Sequence, residues 1–414
     1  MPLDFAFSSD QVALRKKARA LAKDHLSQVR ELTQHLPTAR ERFVASKPIY
    51  ERVIAEGFLR RLIPAPFGGE GSGLVDMAVV AEEFHAEDVN VSLTLFANLL
   101  GLMPVFIGAN DEQKERLIAP FLEASGAPLA ALANSEPGGS ANFDVDAEEG
   151  GTRTVSTFED GAYVIDGVKQ WVSSATGWDG KGADLLSVVC RSDLTVPMPD
   201  ALSILVVTGP TEGIETLRDA EMIGHRAHLC PRFRLNKVRV PAHNLIGPAG
   251  GARDIVAASF TGTAALVGVM GVAVMRAAFN ATLAFAKRER RGGPHPIIEH
   301  QAVGYALADA KTRIEAARSL AWRACWAADA GHPGAEELAL QSKVYGSETA
   351  VQVITDLIRI VGIDAYDREE QPLAGLLADA LAFPLFDGGN MGVRRRQMHA
   401  LLSGEAYDPL ATIG

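Results

Sequence analysis

The segment GAYVIDGVKQWVSS, residues 161–174, carries the clearest β-strand pattern in the chain and stands between two regions with a helical pattern. Apolar and β-branched residues alternate with polar ones along it, and Asp166-Gly167 is a turn signal. Similar short runs continue to about residue 248, whereas apolar residues on both sides recur at helical spacing. Large α/β enzymes alternate strands with helices instead. The sequence therefore predicts a β domain inserted between two helical halves.

These patterns divide the 414 residues into three predicted domains. They are an N-terminal helical domain at 1–125, a middle β domain at 126–250 and a C-terminal helical bundle at 251–414. The helices with the strongest pattern are predicted at 10–34, 40–57, 75–88, 90–107, 111–123, 264–286, 299–330, 336–361 and 391–402.

Composition and charge argue against two classes of partner. Lysine and arginine number 40 against 51 aspartate and glutamate residues, which gives a formal net charge of −11. A general nucleic-acid binder needs a basic surface, so we expect no nucleic-acid partner. No uncharged apolar run reaches the roughly 18 residues of a membrane span, so we expect no membrane partner.

The N-terminus and the cysteines indicate a cytoplasmic protein. The first 25 residues lack a basic segment followed by an apolar one and are typical of a helix, not of a signal peptide. Cys190, Cys230 and Cys325 have no metal-ligand spacing and fit buried thiols in a reducing compartment. The histidines follow no metal-binding motif, and the glycine pairs lack the spacing of a Rossmann fingerprint or P-loop. We therefore expect no metal and no site of those two nucleotide-binding types.

Two polar motifs could bind a cofactor, although each also has a purely structural interpretation. Residues 133–142, ANSEPGGSAN, are a loop by pattern, but their backbone N–H groups could cradle an anion or the edge of a heteroaromatic ring. In KQWVSS, residues 169–174, Trp171 is predicted on a strand, where tryptophan usually packs in the core. Beside the hydroxyl of Ser173 it could instead form the wall for a flat cofactor.

A third motif centres on Asp387, which is predicted at the mouth of a helix, where exposed N–H groups and the helix dipole favour an acidic side chain. It could be a plain N-cap followed by a solvated arginine face. Arg394 comes seven residues later, about two helical turns, so the two side chains could instead share one face.

These motifs, in their order along the chain, resemble those of the acyl-CoA dehydrogenase superfamily of flavoproteins. The matching stretches are SEPGGS at 135–140, KQWVSS at 169–174, FRLNKVRVPAHNLIG at 233–247, RGG at 291–293, IIEHQ at 297–301 and an acidic residue before Gly388-Gly389. The resemblance extends from Phe5 to the C-terminus. It implies a mainly α fold with an inserted β domain: an N-terminal helical domain, a middle β-barrel and a C-terminal four-helix bundle. It also implies bound FAD and a homotetramer that shares FAD across subunits.

Within that superfamily the chain is most similar to the nitroalkane oxidases. Other members typically have a glutamate base in a YEG-type motif, whereas Asp387 stands here in FDG. Other members often have an arginine for the CoA part of the ligand, before the long helix that opens the C-terminal bundle; Thr263 takes that place here. Gly362–Ala365, GIDA, replaces the usual GGxG that contacts FAD across subunits.

The resemblance implies a role for individual residues. Asp387 would abstract the substrate proton, Arg394 would lie beside it, and Thr263, where the family has serine, would hydrogen-bond the carboxylate. FAD contacts within the subunit would come from Leu132, Ala133, Asn134, Ser135, Ser140, Ala141, Asn142, Trp171, Val172, Ser173, Leu385, Phe386, Gly388 and Gly389. A neighbouring subunit would contribute Arg291, His300 and Gln301.

The implied reaction converts a neutral nitroalkane and O2 to an aldehyde or ketone, nitrite and H2O2. A nitro group delocalises an α-carbanion onto two oxygens, so a carboxylate suffices as the base, and the flavin supplies the redox chemistry. Three alternatives stay open: an acyl-CoA dehydrogenase with aspartate as base, a flavin-dependent monooxygenase of the same fold, and a scaffold without activity. The missing arginine at Thr263 argues against the first, and Asp387 with Arg394 argues against the second.

Overall fold

The structure is a computed structural model, and it describes residues 6–146 and 150–413. The first residue of the resemblance, Phe5, lies outside the described residues, as do the parts of the three predicted domains at 1–5, 147–149 and 414.

The N-terminal region folds into helices, with breaks where the sequence supplies caps. The Ser8 and Thr38 side chains each accept a hydrogen bond from the backbone N–H three residues on, and their own backbone N–H groups donate to the side chains of Gln11 and Glu41, which starts two of the helices. The segment predicted as one helix at 10–34 is interrupted at His25. The helices are α1 Ser9–Asp24, α2 Val29–Thr33, α3 Ala39–Ala45, α4 Lys47–Ala55, α5 Leu74–His85, α6 Val89–Gly108 and α7 Asp111–Leu122.

The middle region forms one mixed sheet of eight strands and a short helix. The spatial order is β6-β7-β3-β2-β4-β5-β8, and β1 pairs with β4 in parallel. The elements are β1 Ala130–Ala133, β2 Val155–Glu159, β3 Ala162–Gln170, β4 Leu185–Arg191, α8 Met198–Ala201, β5 Leu202–Thr208, β6 Ile214–Asp219, β7 Pro231–Pro241 and β8 Leu245–Ile246.

The prediction of a closed β-barrel is not confirmed. Closure requires the two terminal strands to pair, but among the described residues β6 and β8 stand at opposite ends of the order. The β8 strand has only two residues and pairs with β5. In the middle of the strand order, β2 and β4 are joined only through the single residue pair Val155 and Arg191. The β domain is therefore an open sheet.

The C-terminal region is a helical bundle built on three long helices. Gly268 and Gly271 on the first allow close approach to the third, because a Cβ atom at Gly271 would lie 2.6 Å from the carbonyl oxygen of Gly346. The shorter helices pack around this trio and complete the bundle. The elements are α9 Ala252–Arg288, α10 Gln301–Asp329, α11 Ala335–Val361, α12 Leu373–Ala380, a π-helical segment Asn390–Arg394 and α13 Arg395–Leu402.

Helices α6 and α9 lie in the core, where the N-terminal helices, the sheet and the C-terminal bundle meet. By length and composition alone, α6 and α9 could each cross a membrane, but 78% and 76% of their most apolar windows are buried inside the fold. Core helices of a folded domain show the same pattern. The α6 helix packs against β1 and α9, so these two helices bring the β domain and the bundle to a common seam.

A buried carboxylate also ties the N-terminal helices to the bundle. The side chain of Glu83 on α5 is 3% exposed and accepts hydrogen bonds from Arg15 at 2.8 Å, Arg19 at 2.9 Å and Arg276 at 3.0 Å. Burial alone would raise the pKa of Glu83, but the bonds from Arg19, Arg276 and Arg15 outweigh it and lower the pKa to about 2. The ionised carboxylate therefore stabilises the folded protein.

Replacing Glu83 with glutamine is expected to lower the thermal unfolding midpoint at neutral pH, since breaking a buried ion pair costs about 3–5 kcal/mol. The depressed pKa fixes the pH dependence: the stabilisation is complete above the unfolded value of 4.5 and is lost as the pH falls towards about 2. The gap between wild type and variant should narrow over that range. Glu56→Gln, which breaks an exposed pair with Lys17, is the control and should change the midpoint little. An equal midpoint in Glu83→Gln would contradict this account.

Candidate active site

A cavity of about 720 Å³ lies at the seam between α6, the β domain, α9 and the segment after α12. Most of the predicted site residues line it. They are Leu132, Asn134, Ser135, Ser140, Ala141, Asn142, Trp171, Val172, Ser173, Thr263, Leu385, Phe386, Asp387, Gly388 and Gly389. A larger cleft of about 1200 Å³ is lined by many arginine and acidic side chains and contains none of the predicted residues. The smaller cavity is the candidate site.

Asp387 stands in a turn at the wall of this cavity, held from two sides. Its Oδ1 atom accepts a hydrogen bond from Thr263 Oγ1 at 2.9 Å, and its Oδ2 atom accepts one from Arg394 Nη2 at 3.0 Å. The Asp387 side chain is 3% exposed and that of Arg394 is fully buried. Charge-assisted hydrogen bonds of this kind are strong when water is excluded. The structure thus brings the three predicted catalytic residues together; their roles stay a prediction.

The backbone around Asp387 differs from the predicted helix mouth. Asp387 adopts a left-handed φ of 51°, and the chain then enters a π-helical turn, Asn390–Arg394, before α13 begins. The predicted helix at 391–402 therefore starts with a wider turn, a feature that often marks functional sites. The carboxylate oxygens bond to side chains of Thr263 and Arg394, so the N-cap interpretation is not what the structure shows.

Arg394 acts on the turn as well as on the carboxylate. Its Nε donates to the Asp387 carbonyl oxygen at 2.9 Å, Nη2 also donates to the Phe260 carbonyl at 3.1 Å, and Nη1 donates to Gln397 at 3.1 Å. Nearly all of its N–H groups are therefore used within the protein. Arg394 orients Asp387, and its geometry leaves little of the guanidinium for a substrate.

Thr263 lies in the interior of α9, eleven residues from its start at Ala252, not before the helix as expected. Its hydroxyl oxygen lies 2.9 Å from the carboxylate of Asp387 and 3.2 Å from the Phe260 carbonyl. The hydroxyl has one proton to donate, and the charged carboxylate is the stronger acceptor.

Part of the cavity lining fits a flat heteroaromatic group. The buried Oδ1 atom of Asn134 has no hydrogen-bond partner among the residues that the structure describes, although buried polar atoms rarely lack one. Ala133 is buried behind it on β1, while Leu132 and Phe96 give apolar surface. A ring system with polar edges, such as that of FAD, would satisfy this arrangement, so the residues present fit the cofactor.

Trp171 corrects one expectation about the β domain. The strand ends at Gln170, and Trp171 follows it with a left-handed φ of 61° and 54% of its surface exposed. The exposed indole at the cavity edge agrees with the cofactor-wall interpretation better than with core packing. Ser173 faces inward, 3.0 Å from the Nε2 atom of His228.

The three residues predicted to serve a neighbouring subunit lie away from the cavity. Arg291 makes an ion pair with Asp364 at 2.9 Å, donates to the Val361 carbonyl and stacks over Phe285. His300 and Gln301 are exposed at the start of α10, where Gln301 donates to Tyr305. Arg291 and Gly362–Ala365, two segments far apart in sequence, therefore meet on one surface.

Sequence reasoning missed three buried side chains around the site. His228 bridges Ser173 and Thr94, and burial lowers its pKa to about 3, so the ring is neutral. Lys343 and Asn390 lie behind the Asp387 turn. Burial lowers the pKa of Lys343 to about 7, although the charge of Asp387 opposes this. No motif marks Lys343 or Asn390, since the lysine stands in a largely polar stretch of α11, QSKVYGSE at 341–348.

Comparisons with known proteins agree with the geometry. Models of the acyl-CoA dehydrogenase N-terminal domain and C-terminal domain match residues 8–125 and 250–402. The nitroalkane oxidase of Podospora anserina is 40% identical, covering 99% of this chain and 98% of that protein, and the one from Fusarium oxysporum is 35% identical, covering 99% and 97%. A solved nitroalkane oxidase, an active-site aspartate-to-asparagine mutant crystallized with 1-nitrooctane, has a TM-score of 0.94, 34% identity and 99% coverage of both chains. The chain therefore belongs to the nitroalkane oxidase family of flavoproteins, within the acyl-CoA dehydrogenase fold.

Proposed function

We propose that this protein is an FAD-dependent oxidase that converts neutral nitroalkanes to aldehydes or ketones, and that Asp387 is the base. The observation that carries the proposal is the buried carboxylate of Asp387, held by Thr263 and Arg394 in the wall of a cavity whose lining fits a flavin. The 1-nitrooctane in the related structure supports the substrate class.

The chemistry follows from the position of the charge. The ionised Asp387 takes the α-proton of the nitroalkane, and the negative charge passes to the nitro oxygens of the substrate. Thr263 and Arg394 hold the carboxylate in place, so no reorganisation is needed during proton transfer. FAD, when bound, accepts the electrons and delivers them to O2. One nitroalkane, one O2 and one water then give one carbonyl compound, one nitrous acid and one H2O2.

The candidate cofactor contacts within the subunit are those that the resemblance implies, and all of them except Ala133 line the cavity. Leu132 to Ser135 and Ser140 to Asn142 would meet FAD from the β domain, with Trp171 to Ser173 on the strand end and Leu385 to Gly389 beside Asp387. Arg396 donates to the Ala141 carbonyl at 2.6 Å and to Asn142 at 3.2 Å, and so supports one of these loops from the bundle.

Oxygen uptake with nitroethane tests the function. The purified protein should be yellow and should release nitrite and H2O2 in equal amounts as O2 is consumed. An acyl-CoA should neither react nor compete, because Thr263 cannot replace a guanidinium towards the CoA phosphates. Oxidation of butyryl-CoA without reaction of nitroethane would favour an acyl-CoA dehydrogenase. A requirement for an external reductase would favour a flavin-dependent monooxygenase. A colourless purified protein would indicate a scaffold without activity.

We further propose a cytoplasmic homotetramer that shares FAD across subunits. Arg291 and the segment Gly362–Ala365 lie together, outside the cavity of their own chain. Beside them Ile363 and Tyr366 are 80% and 83% exposed, a degree of exposure that favours burial against another subunit. The free cysteines support the location, because free thiols fit a reducing compartment.

Replacing Arg291 with alanine should lower FAD content and weaken the assembly together, because a ligand held between subunits stabilises only the assembled state. FAD per chain after gel filtration and the mass by light scattering measure both effects. Arg288→Ala removes the same charge from a nearby exposed position and is the matched control. Unchanged FAD content in Arg291→Ala would rule out the assignment in trans.

A further inference from the structure

A fully buried lysine lies behind the turn that carries Asp387. Lys343 on α11 has no exposed surface, and its Nζ atom donates to the carbonyl oxygen of Phe383 at 2.5 Å and to Asn390 Oδ1 at 3.1 Å. Phe383 stands four residues before Asp387, and Asn390 stands three residues after it. One ammonium group therefore joins the two ends of the Asp387 turn.

The far end of the turn has further bonds to α11. The side-chain amide of Asn390 donates to Ser347 Oγ and to Glu348 Oε1, both at 3.0 Å, and its backbone N–H closes the turn on the Pro384 carbonyl at 2.8 Å. Glu348 is in turn paired with Arg395, at the start of α13. The turn is thus fastened to α11 at both ends, and Lys343 is the only one of these groups that contacts both.

Burial of a charged ammonium group costs free energy, and other contacts in the fold or the site must compensate for that cost. Burial disfavours the charged form, and among the described residues no ion pair joins Lys343 to a carboxylate. The charges that face it are Asp387, Arg394 and Glu348; Asp387 and Glu348 favour the ammonium, while burial and Arg394 oppose it. The compensations that the structure offers are the hydrogen bonds to the turn, the nearby charges of Asp387 and Glu348, and the ring of Phe386, whose centroid lies 5.7 Å from Nζ.

We propose that Lys343 is a positioning residue, which fixes the Asp387 turn through Phe383 and Asn390 so that the carboxylate meets the α-carbon of the substrate. This inference rests on the function proposed above. A shift of about 1 Å in the position of a reacting group can lower the rate 10²-fold. Loss of the hydrogen bonds from Lys343 to Phe383 and Asn390 would allow such a shift of the Asp387 carboxylate. Reaction steps that do not need the base would keep their wild-type rates.

The test is Lys343→Met, which keeps an unbranched side chain of nearly the same length and removes its donors. We expect flavin reduction by neutral nitroethane to fall by about 10²-fold, while reduction by the preformed nitronate stays at the wild-type rate. Backbone hydrogen exchange in the peptide 383–394 should be faster in this variant, with FAD bound. Ser342→Ala, the matched control on α11, loses a hydroxyl that donates to Ala265 on α9 and should leave both measurements unchanged.

Two kinetic results would each overturn the inference: wild-type rates with neutral nitroethane in Lys343→Met, or equal losses with both forms of the substrate. Unchanged exchange in the peptide 383–394 would also overturn it. A wild-type protein that reacted with neither nitroethane nor its nitronate would refute the proposed function instead, and the exchange experiment would still decide whether Lys343 holds the turn.

Discussion

The Asp387→Asn variant is expected to reduce its flavin with neutral nitroethane about 10²–10⁴-fold more slowly than wild type, the usual contribution of a general base. Asparagine keeps the size and shape of the side chain, and its Oδ1 atom can still accept a hydrogen bond from Thr263 or Arg394. It lacks the charge and cannot take up the proton. Anaerobic stopped-flow mixing, followed by the flavin absorbance, measures the loss directly.

The preformed nitronate provides the control for that variant. It has already lost its α-proton, so it should reduce the flavin of Asp387→Asn without need of the base. A large loss with nitroethane and a small one with the nitronate separates an absent base from a damaged flavin site. Near wild-type turnover of neutral nitroethane by the variant would mean that Asp387 is only a structural residue.

The Arg394→Met variant is expected to have the second largest effect. It leaves the buried carboxylate of Asp387 with Thr263 alone and removes the hydrogen bonds to the Asp387 and Phe260 carbonyls. Breaking a buried ion pair costs about 3–5 kcal/mol, which corresponds to at least about 10²-fold in rate if the loss falls on the transition state. We expect that loss with neutral nitroethane, together with a lower thermal midpoint.

Arg394→Lys is the matched variant for this prediction. It keeps the charge, but one ammonium cannot reproduce the fork that meets Asp387 twice and Phe260 once. Its rate should fall between wild type and Arg394→Met. Equal rates in all three proteins would show that Arg394 contributes nothing to the placement of the base.

The seven-residue spacing leaves two interpretations of Asp387 and Arg394 open, and the resemblance favours the one in which the side chains meet. The contact does not arise from two α-helical turns, since Asp387 has a left-handed φ of 51° and a π-helical turn, Asn390–Arg394, follows it. Such features depend on how the turn packs against α9 and α11. Local propensity does not specify them.

Contacts between distant segments account for most of what the sequence could not indicate. Trp171 continues a strand pattern, yet the chain turns immediately after Gln170. The expected barrel came from the resemblance and is replaced by an open sheet. His228 and Lys343 carry no motif, and their roles appear only when the domains are packed together. The spacing of apolar residues along the sequence is enough to predict two helical regions with a β region between them.

Anaerobic mixing of the purified protein with nitroethane tests the central claim most directly, because flavin reduction in that single turnover requires that the protein first remove the α-proton of the substrate. The account predicts that the flavin bleaches, that nitrite appears in an amount equal to the reduced flavin, and that butyryl-CoA leaves the spectrum unchanged. Bleaching by butyryl-CoA with no response to nitroethane would contradict it.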